Sequence, residues 1–66
     1  MFSPIKISES FEEIDTLQLY LGKDTATFTK VGNHYNIKTE KQVIDLYVGD
    51  VVQVVDNTII ICFRGH

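Results

Sequence analysis

Residues 34–63 read HYNIKTEKQVIDLYVGDVVQVVDNTIIICF, and this stretch decides the fold. It contains four β-like runs, HYNIKT, VIDLYV, VVQVV and TIIICF, with turn residues between them. Apolar and polar side chains alternate along much of the stretch, as they do in strands that bury one face. This half of the chain therefore predicts a small antiparallel sheet whose strands follow one another in sequence.

The alternation also predicts which side chains face the core in the strand at residues 42–48. We expect an inward set of Ile44, Leu46 and Val48 and an outward set of Val43, Asp45 and Tyr47.

The last run is the most apolar part of the sheet. Ile59–Phe63 contains five consecutive apolar residues, and they cannot all face one core because successive side chains alternate across a sheet. Both faces of this strand therefore need a cover. Either the sheet curls into a small barrel, or a second copy of the chain covers the remaining face.

The N-terminal part predicts a short edge strand followed by a helix. Pro4 precedes an alternating Ile5–Ile7 segment, and proline is tolerated at sheet edges. Ser10 and Glu13 have the spacing of a capping box, and an apolar stripe at helical spacing runs to Leu21 before Gly22. The stripe consists of Phe11, Ile14, Leu17 and Leu21. We expect a helix from Ser10 to Leu21.

A hairpin joins the helix to the C-terminal half. Residues 26–31 are rich in β-branched and aromatic side chains, and the Gly32-Asn33 pair suits a two-residue turn into His34–Thr39. The pattern as a whole predicts one domain of the α+β class, spanning residues 1–66. We expect an N-terminal helix and a small, strongly curved antiparallel sheet of about five strands, arranged as an SH3-like barrel or half-barrel.

Composition limits the classes of partner. The net charge is −3 and the basic residues form no run, so the electrostatics argue against a nucleic-acid partner. The single cysteine, Cys62, cannot form a disulfide within the chain.

The N-terminus lacks the features of a signal peptide, and no apolar run is long enough to span a membrane. We expect a cytoplasmic protein without a membrane partner.

Few residues could carry chemistry. The soft metal ligands are His34, Cys62 and His66, too few for a zinc site, so we expect no metal and no cofactor. His34 follows a turn and is expected to be solvated. Cys62 lies between apolar residues, which favours a small core side chain over a reactive thiolate. No set of nucleophile, base and orienting group can be assembled, so we predict that the chain is not an enzyme.

Outward apolar side chains suggest a protein-binding surface instead. Leu19 lies opposite the buried stripe of the helix, and Tyr20 lies at its margin. With Val43 and Tyr47 on the outward face of their strand, these residues are the candidate partner-binding set.

Two alternatives use a different part of the sheet. Tyr35 and Lys38 could contribute to a pocket for a small ligand. Together with Lys30 and Lys41, they could instead offer aromatic and basic groups to a single-stranded nucleic acid.

Several short segments carry a resemblance to a known group of proteins. They are Pro4-Ile5-Lys6-Ile7, Phe11-Glu12-Glu13-Ile14, Leu21-Gly22, Ile37-Lys38-Thr39 and Val48-Gly49-Asp50-Val51-Val52. From Pro4 to Val55 the chain resembles small phage and prophage proteins of unknown function that carry a Pro-Gly-Asp-Tyr-Ile or similar Gly-Asp-aromatic motif. Val48 stands where that motif has proline, and Val51 where it has the aromatic residue.

The resemblance implies a small β-rich accessory protein that acts in a bacterial host cell. Such proteins often bind a host or defence protein, which requires a surface but no catalytic residues. We therefore predict a non-enzymatic module that binds a bacterial protein and modulates it, with inhibition as one form of modulation. The module could also form homo-oligomers.

Overall fold

The computed structural model describes residues 3–65, which contain one helix and six short strands. In chain order the elements are β1 (Ile5–Lys6), α1 (Glu13–Leu21), β2 (Ala26–Val31), β3 (His34–Thr39), β4 (Val43–Tyr47), β5 (Val51–Val55) and β6 (Ile59–Phe63). The predicted α+β class is confirmed, and strands β2, β3 and β5 have the predicted bounds.

The strands form two antiparallel sheets of three strands each. Sheet A has the order β1-β5-β6 and sheet B the order β2-β3-β4. Among the described residues, no backbone ladder joins the two sheets into a closed barrel. The chain changes sheets at Gly49, whose φ of +93° is easy for glycine and produces a sharp turn. Val48 lies exposed in this turn, so its prediction as a core residue is wrong: the alternating strand ends at Tyr47.

The core lies between the two sheets and α1. Its buried apolar residues are Ile7, Phe11, Ile14, Leu17, Leu21, Ala26, Ile37, Leu46, Val52, Val54 and Ile60. All four residues of the predicted helical stripe are among them, and α1 packs against β2 of one sheet and β5 of the other. Burying one such side chain fully stabilises the fold by about 1.5 to 3 kcal/mol.

Side chains bridge the sheets along the line where β4 and β6 approach each other. The Gln42 side chain donates from Nε2 to the Ile60 carbonyl oxygen (2.9 Å), and its Oε1 accepts from the Ile60 backbone N–H (2.9 Å). Farther along, the Arg64 guanidinium donates to the backbone carbonyl of Asp45. We call these contacts the β4–β6 seam. It satisfies strand-edge groups that would otherwise need another strand or water.

The helix begins later than predicted and uses a different serine. Phe11 has a left-handed φ of +56°, which places its ring in the core and turns the chain before α1. As a result Glu13 Oε1 accepts hydrogen bonds from Ser8, at 2.9 Å from the backbone N–H and 2.9 Å from the hydroxyl. The predicted capping pair of Ser10 and Glu13 is therefore wrong: the side chain of Glu13 reaches Ser8 instead.

This contact predicts a pH-dependent contribution to stability. The hydrogen bonds from Ser8 lower the pKa of Glu13 from its ordinary value of 4.5. A lowered pKa in the folded state stabilises the fold above the unfolded-state value, and this stabilisation is lost as the pH falls through the folded-state value. We expect Glu13→Gln to lower the free energy of unfolding by about 1 kcal/mol at neutral pH, and by less in acid.

Urea unfolding at a series of pH values would measure the effect. Glu12→Gln is the matched control, because Glu12 lies one residue earlier and makes no side-chain capping hydrogen bond. If both variants lose the same stability at every pH, the Ser8–Glu13 contact contributes nothing.

Candidate interaction surface

Strand β6 presents a row of apolar side chains to solvent. Ile60 and Cys62 point toward the core, whereas Ile59 is 40%, Ile61 38% and Phe63 57% exposed on the other side. This division follows from the alternation of side chains along a strand. The sequence indicated that both faces of the strand need a cover, and only the inner face has one within residues 3–65.

The neighbouring strands extend this row into a surface. In the register of sheet A, Val51 pairs with Phe63, Gln53 with Ile61, and Val55 with Ile59, while Lys6 pairs with Val51 from the other side. Paired residues point to the same side of a sheet. We define the apolar face as Val51, Gln53, Val55, Ile59, Ile61 and Phe63. Lys6 lies at its margin beside Val51, and Asp56 follows Val55 at the other end.

A tight turn fixes the register on which this surface depends. Asp56 and Asn57 connect β5 to β6 with left-handed φ values of +54° and +58°. The Thr58 backbone N–H donates to the carbonyl oxygen of Val55 at 3.1 Å. Two consecutive left-handed residues match the twist of a hairpin, and Asp and Asn tolerate them better than most residues. The apolar face therefore belongs to a well-defined hairpin.

Behind the hairpin, Asp50 is a fully buried carboxylate that binds the end of the described chain. Its Oδ2 accepts from the Tyr47 backbone N–H (3.0 Å) and from Arg64 Nη1 (2.8 Å), and its Oδ1 accepts from the Gly65 backbone N–H (3.0 Å). Gly65 packs directly on Gly49, and a Cβ atom there would collide with the Gly49 carbonyl oxygen. These contacts hold the segment that follows β6 against the turn between the sheets.

No prediction from the sequence anticipated this ion pair between Asp50 and Arg64. The available signal was an arginine directly after the most apolar strand, but no local spacing rule connects it with Asp50. The donors that converge on Asp50 neutralise and occupy its carboxylate, so the arrangement is suited to structure rather than proton transfer.

Cys62 lies beside the same carboxylate, with Sγ 3.8 Å from Asp50 Oδ2. Burial raises the pKa of the Cys62 thiol, the nearby Asp50 raises it further, and Arg64 opposes the shift. The thiol is therefore protonated at neutral pH, which makes it a poor nucleophile.

The four predicted partner-binding residues do not form one surface. Leu19 is 84% exposed and Tyr20 is exposed beside it on the outer side of α1, as the helical pattern predicts. Val43 and Tyr47 lie on the outer face of sheet B, which points away from the core in another direction. Asp45 separates Val43 from Tyr47 along β4.

The outer face of sheet B is a polar and aromatic cluster rather than an apolar patch. The His34 ring stacks on Tyr47 with centroids 4.5 Å apart and places Nε2 3.4 Å from Asp45 Oδ1. Asn36 Nδ2 donates to the same oxygen at 3.1 Å. The expectation that His34 is solvated is wrong, because its side chain is only 17% exposed and its ring packs on Tyr47.

The residues of the ligand-binding alternative point to opposite faces of β3. Tyr35 packs on the Phe11 ring, with centroids 5.1 Å apart, and Lys30 Nζ lies 4.7 Å from the centroid of Phe11 and 5.3 Å from that of Tyr35. Lys38 is an odd number of residues away from Tyr35 and lies exposed on the outer face. The structure therefore does not bring Tyr35 and Lys38 together.

A shallow cleft of about 210 Å³ lies elsewhere, between loops of the two sheets. Its lining residues are Asp24, Thr25, Thr39, Glu40, Lys41 and Thr58. This volume is below the roughly 300 to 1,000 Å³ that is typical of small-molecule sites.

Residues 3–65 contain no group of three or more His, Cys, Asp or Glu side chains that could hold a metal ion, and His66 lies outside that range. The one helix of this part of the chain is too short and too polar to cross a membrane.

Comparisons with protein-family models, with curated protein sequences and with solved structures gave no match. The similarity to phage proteins therefore stays a prediction. Among the described residues, the apolar face is the feature that indicates a function.

Proposed function

We propose that this chain is a non-enzymatic protein-interaction module and that its working surface is the apolar face. The observation that carries the proposal is the exposure of Ile59, Ile61 and Phe63 side by side on one strand. Single exposed apolar residues are ordinary, but a contiguous group on a regular sheet is typical of protein–protein interfaces.

The composition of the surface supports a protein partner over other ligands. Its centre is aliphatic, its most exposed member is the aromatic Phe63, and Lys6 and Asp56 lie at its two ends. Apolar centres with aromatic anchors and polar rims characterise protein interfaces. Burying the exposed part of Phe63 against a partner would contribute about 1 to 2 kcal/mol to binding.

The proposed partner is a bacterial protein, and the proposed compartment is the cytoplasm of a bacterial host cell. This part of the proposal is supported by the similarity to small phage and prophage proteins, and the mode of action would be modulation or inhibition of that protein. Leu19 and Tyr20 on α1, and Val43 and Tyr47 on sheet B, are further exposed or half-exposed positions for contacts outside the apolar face.

An SH3-like half-barrel remains the proposed description of the architecture. The β4–β6 seam supports it, because Gln42 and Arg64 side chains bridge strand edges at the place where a closed barrel would have a backbone ladder. In this arrangement the apolar face lies on the outside of the half-barrel.

The two alternative functions have less support. A ligand site built on Tyr35 and Lys38 would need side chains that converge, and these point to opposite faces. A nucleic-acid surface would need free basic groups beside aromatic rings, but Lys30 already lies over Phe11 and Tyr35.

Capture from bacterial lysate with a tagged chain would test the proposal. We expect at least one protein to be retained by the wild type after nuclease treatment and to be lost with Phe63→Glu, because a carboxylate in an apolar interface carries a large desolvation cost. The retained protein would then be purified, and its binding to both chains measured by calorimetry.

Val31→Glu is the matched control, since Val31 is an exposed valine at the end of β2 in the other sheet. It should retain the same protein as the wild type. Retention that is equal for Phe63→Glu and the wild type would refute the assignment of the apolar face.

A further inference from the structure

We infer that the apolar face is covered by a second copy of this chain, packed face to face about a two-fold axis that passes close to Gln53. The inference rests on the proposed function, because it names the first partner of the same surface. It makes the apolar face a self-association surface as well, from which a bacterial partner of higher affinity would displace the second copy.

The distribution of charge is the first argument for a second copy. The chain has nine acidic and six basic residues and a net charge of −3, so two copies repel each other over most orientations. The apolar face itself contains no charged side chain, and its two ends carry opposite charges: Lys6 lies beside Val51 at one end, and the exposed Asp56 follows Val55 at the other. Two identical acidic chains can therefore approach at this face with little electrostatic cost, whereas the first turn of α1 carries Glu13 and Asp15.

The position of Gln53 is the second argument. It lies in the middle row of the face, opposite Ile61, with Val51 and Val55 on either side along β5. Among the described residues, no hydrogen bond to its side-chain amide is found. A primary amide carries both a donor and an acceptor, so two copies of Gln53 related by a two-fold axis can satisfy each other. A two-fold interface requires this kind of self-complementarity, since the same patch contributes both sides.

The geometry of a flat sheet face is also suited to such packing. Two sheets stack about 10 Å apart with their strands within roughly 30° of parallel. With the axis across the strands at Gln53, Phe63 at one end of β6 lies over the Ile59 end of the second copy. Phe63 is the most exposed apolar residue of the face, and this arrangement would bury it.

The size of the molecule limits the expected affinity of the dimer. Its two longest dimensions are 25 and 23 Å, so a flat contact covers at most on the order of 500 Å² per copy. Stable interfaces usually bury about 800 Å² per partner. We therefore expect a weak dimer, with a dissociation constant in the micromolar range or somewhat above it.

Sedimentation velocity from roughly 1 to 500 µM would test the inference. We expect the wild type to shift from monomer to dimer over this range, Phe63→Glu to stay monomeric at every concentration, and Val31→Glu to match the wild type. Circular dichroism of each variant would confirm that the monomer is folded. A wild type that remains monomeric, or a Phe63→Glu variant that dimerises normally, would overturn the inference.

A charge pair at the axis gives a test that does not remove apolar surface. Gln53→Glu and Gln53→Lys should each weaken the dimer at least tenfold, because two like charges then meet at the axis. An equimolar mixture should associate more tightly than either variant alone, since unlike charges meet in the mixed dimer. Equal association of the mixture and the separate variants would place the axis elsewhere and overturn the inference.

The outcome also separates this inference from the proposed function. If the wild type is monomeric but Phe63→Glu still loses a captured bacterial protein, the face belongs to a different protein: the inference fails and the proposed function stands. If Phe63→Glu changes neither association nor capture, both fail.

Discussion

Replacing Asp50 by alanine is expected to unfold most molecules even without denaturant. The change removes the acceptor for the backbone N–H groups of Tyr47 and Gly65 and the partner of Arg64. Hydrogen bonds to a charged group contribute about 1.5 to 3 kcal/mol each, so the two lost backbone hydrogen bonds alone cost about 3 to 5 kcal/mol. The Arg64 side chain is half exposed, so water can solvate it after the change. A domain of this size is stabilised by only about 3 to 5 kcal/mol, so the expected loss is close to the whole stability.

Far-UV circular dichroism and urea unfolding would measure this loss. Asp45→Ala is the matched control: Asp45 is a nearby aspartate whose side chain is half exposed, and its backbone carbonyl still accepts from Arg64. Its contacts with His34 and Asn36 are surface contacts that contribute less than about 1 kcal/mol. A folded Asp50→Ala variant with the stability of the control would mean that the C-terminal segment does not depend on the buried carboxylate.

The Asp45→Ala control also shows whether a loss of stability in Asp50→Ala comes from the buried site or from the change in net charge. Both variants remove one negative charge from an acidic chain, which by itself slightly reduces repulsion. Only the Asp50 variant removes a fully buried acceptor and leaves the backbone donors of Tyr47 and Gly65 without it. A large difference between the two therefore reports the hydrogen-bonded site and not the change in net charge.

Sequence patterns were sufficient where a local rule decides the structure. Alternation located the bounds of β2, β3 and β5, and helical spacing identified the buried side of α1. Gly32 marked the hairpin turn between β2 and β3 because it tolerates a left-handed backbone conformation. In each case the information lies within a few residues of the feature that it predicts.

The rest of the fold depends on contacts between distant residues. A single curved sheet was expected, but the turn at Gly49 directs β5 into a second sheet with β1 and β6. The helix start shifted because the left-handed Phe11 brings Ser8, and not Ser10, to Glu13. Tertiary packing overrides the local capping signal here.

Only part of the candidate surface could be predicted from the sequence. The apolar run of β6 indicated that a second face needs a cover, whereas the pairing with β5 was needed to show that Gln53 lies at its centre. The predicted set of Leu19, Tyr20, Val43 and Tyr47 identified outward residues, but sequence alone could not show that sheet and helix point in different directions.

Gln42→Glu is expected to open the β4–β6 seam and to lower the free energy of unfolding by about 2 to 3 kcal/mol at neutral pH. The substitution keeps the size of the side chain and the acceptor for the Ile60 backbone N–H. It removes the donor to the Ile60 carbonyl and places a negative oxygen 2.9 Å from that carbonyl. The outer edge of β6 then loses one of its two hydrogen bonds to the side chain at position 42 and gains a repulsion.

The pH dependence distinguishes this mechanism from a general loss of packing. The introduced carboxylate has a raised pKa in the folded state because it faces a carbonyl oxygen, so its protonation restores a donor and recovers stability relative to the wild type as the pH falls. Gln18→Glu on α1 is the control and should cost less than about 1 kcal/mol, without such recovery. Urea unfolding gives the stabilities, and amide hydrogen exchange at Ile60 reports the seam directly. Exchange that is unchanged at Ile60 would show that the seam does not hold β6, and with it the apolar face, in place.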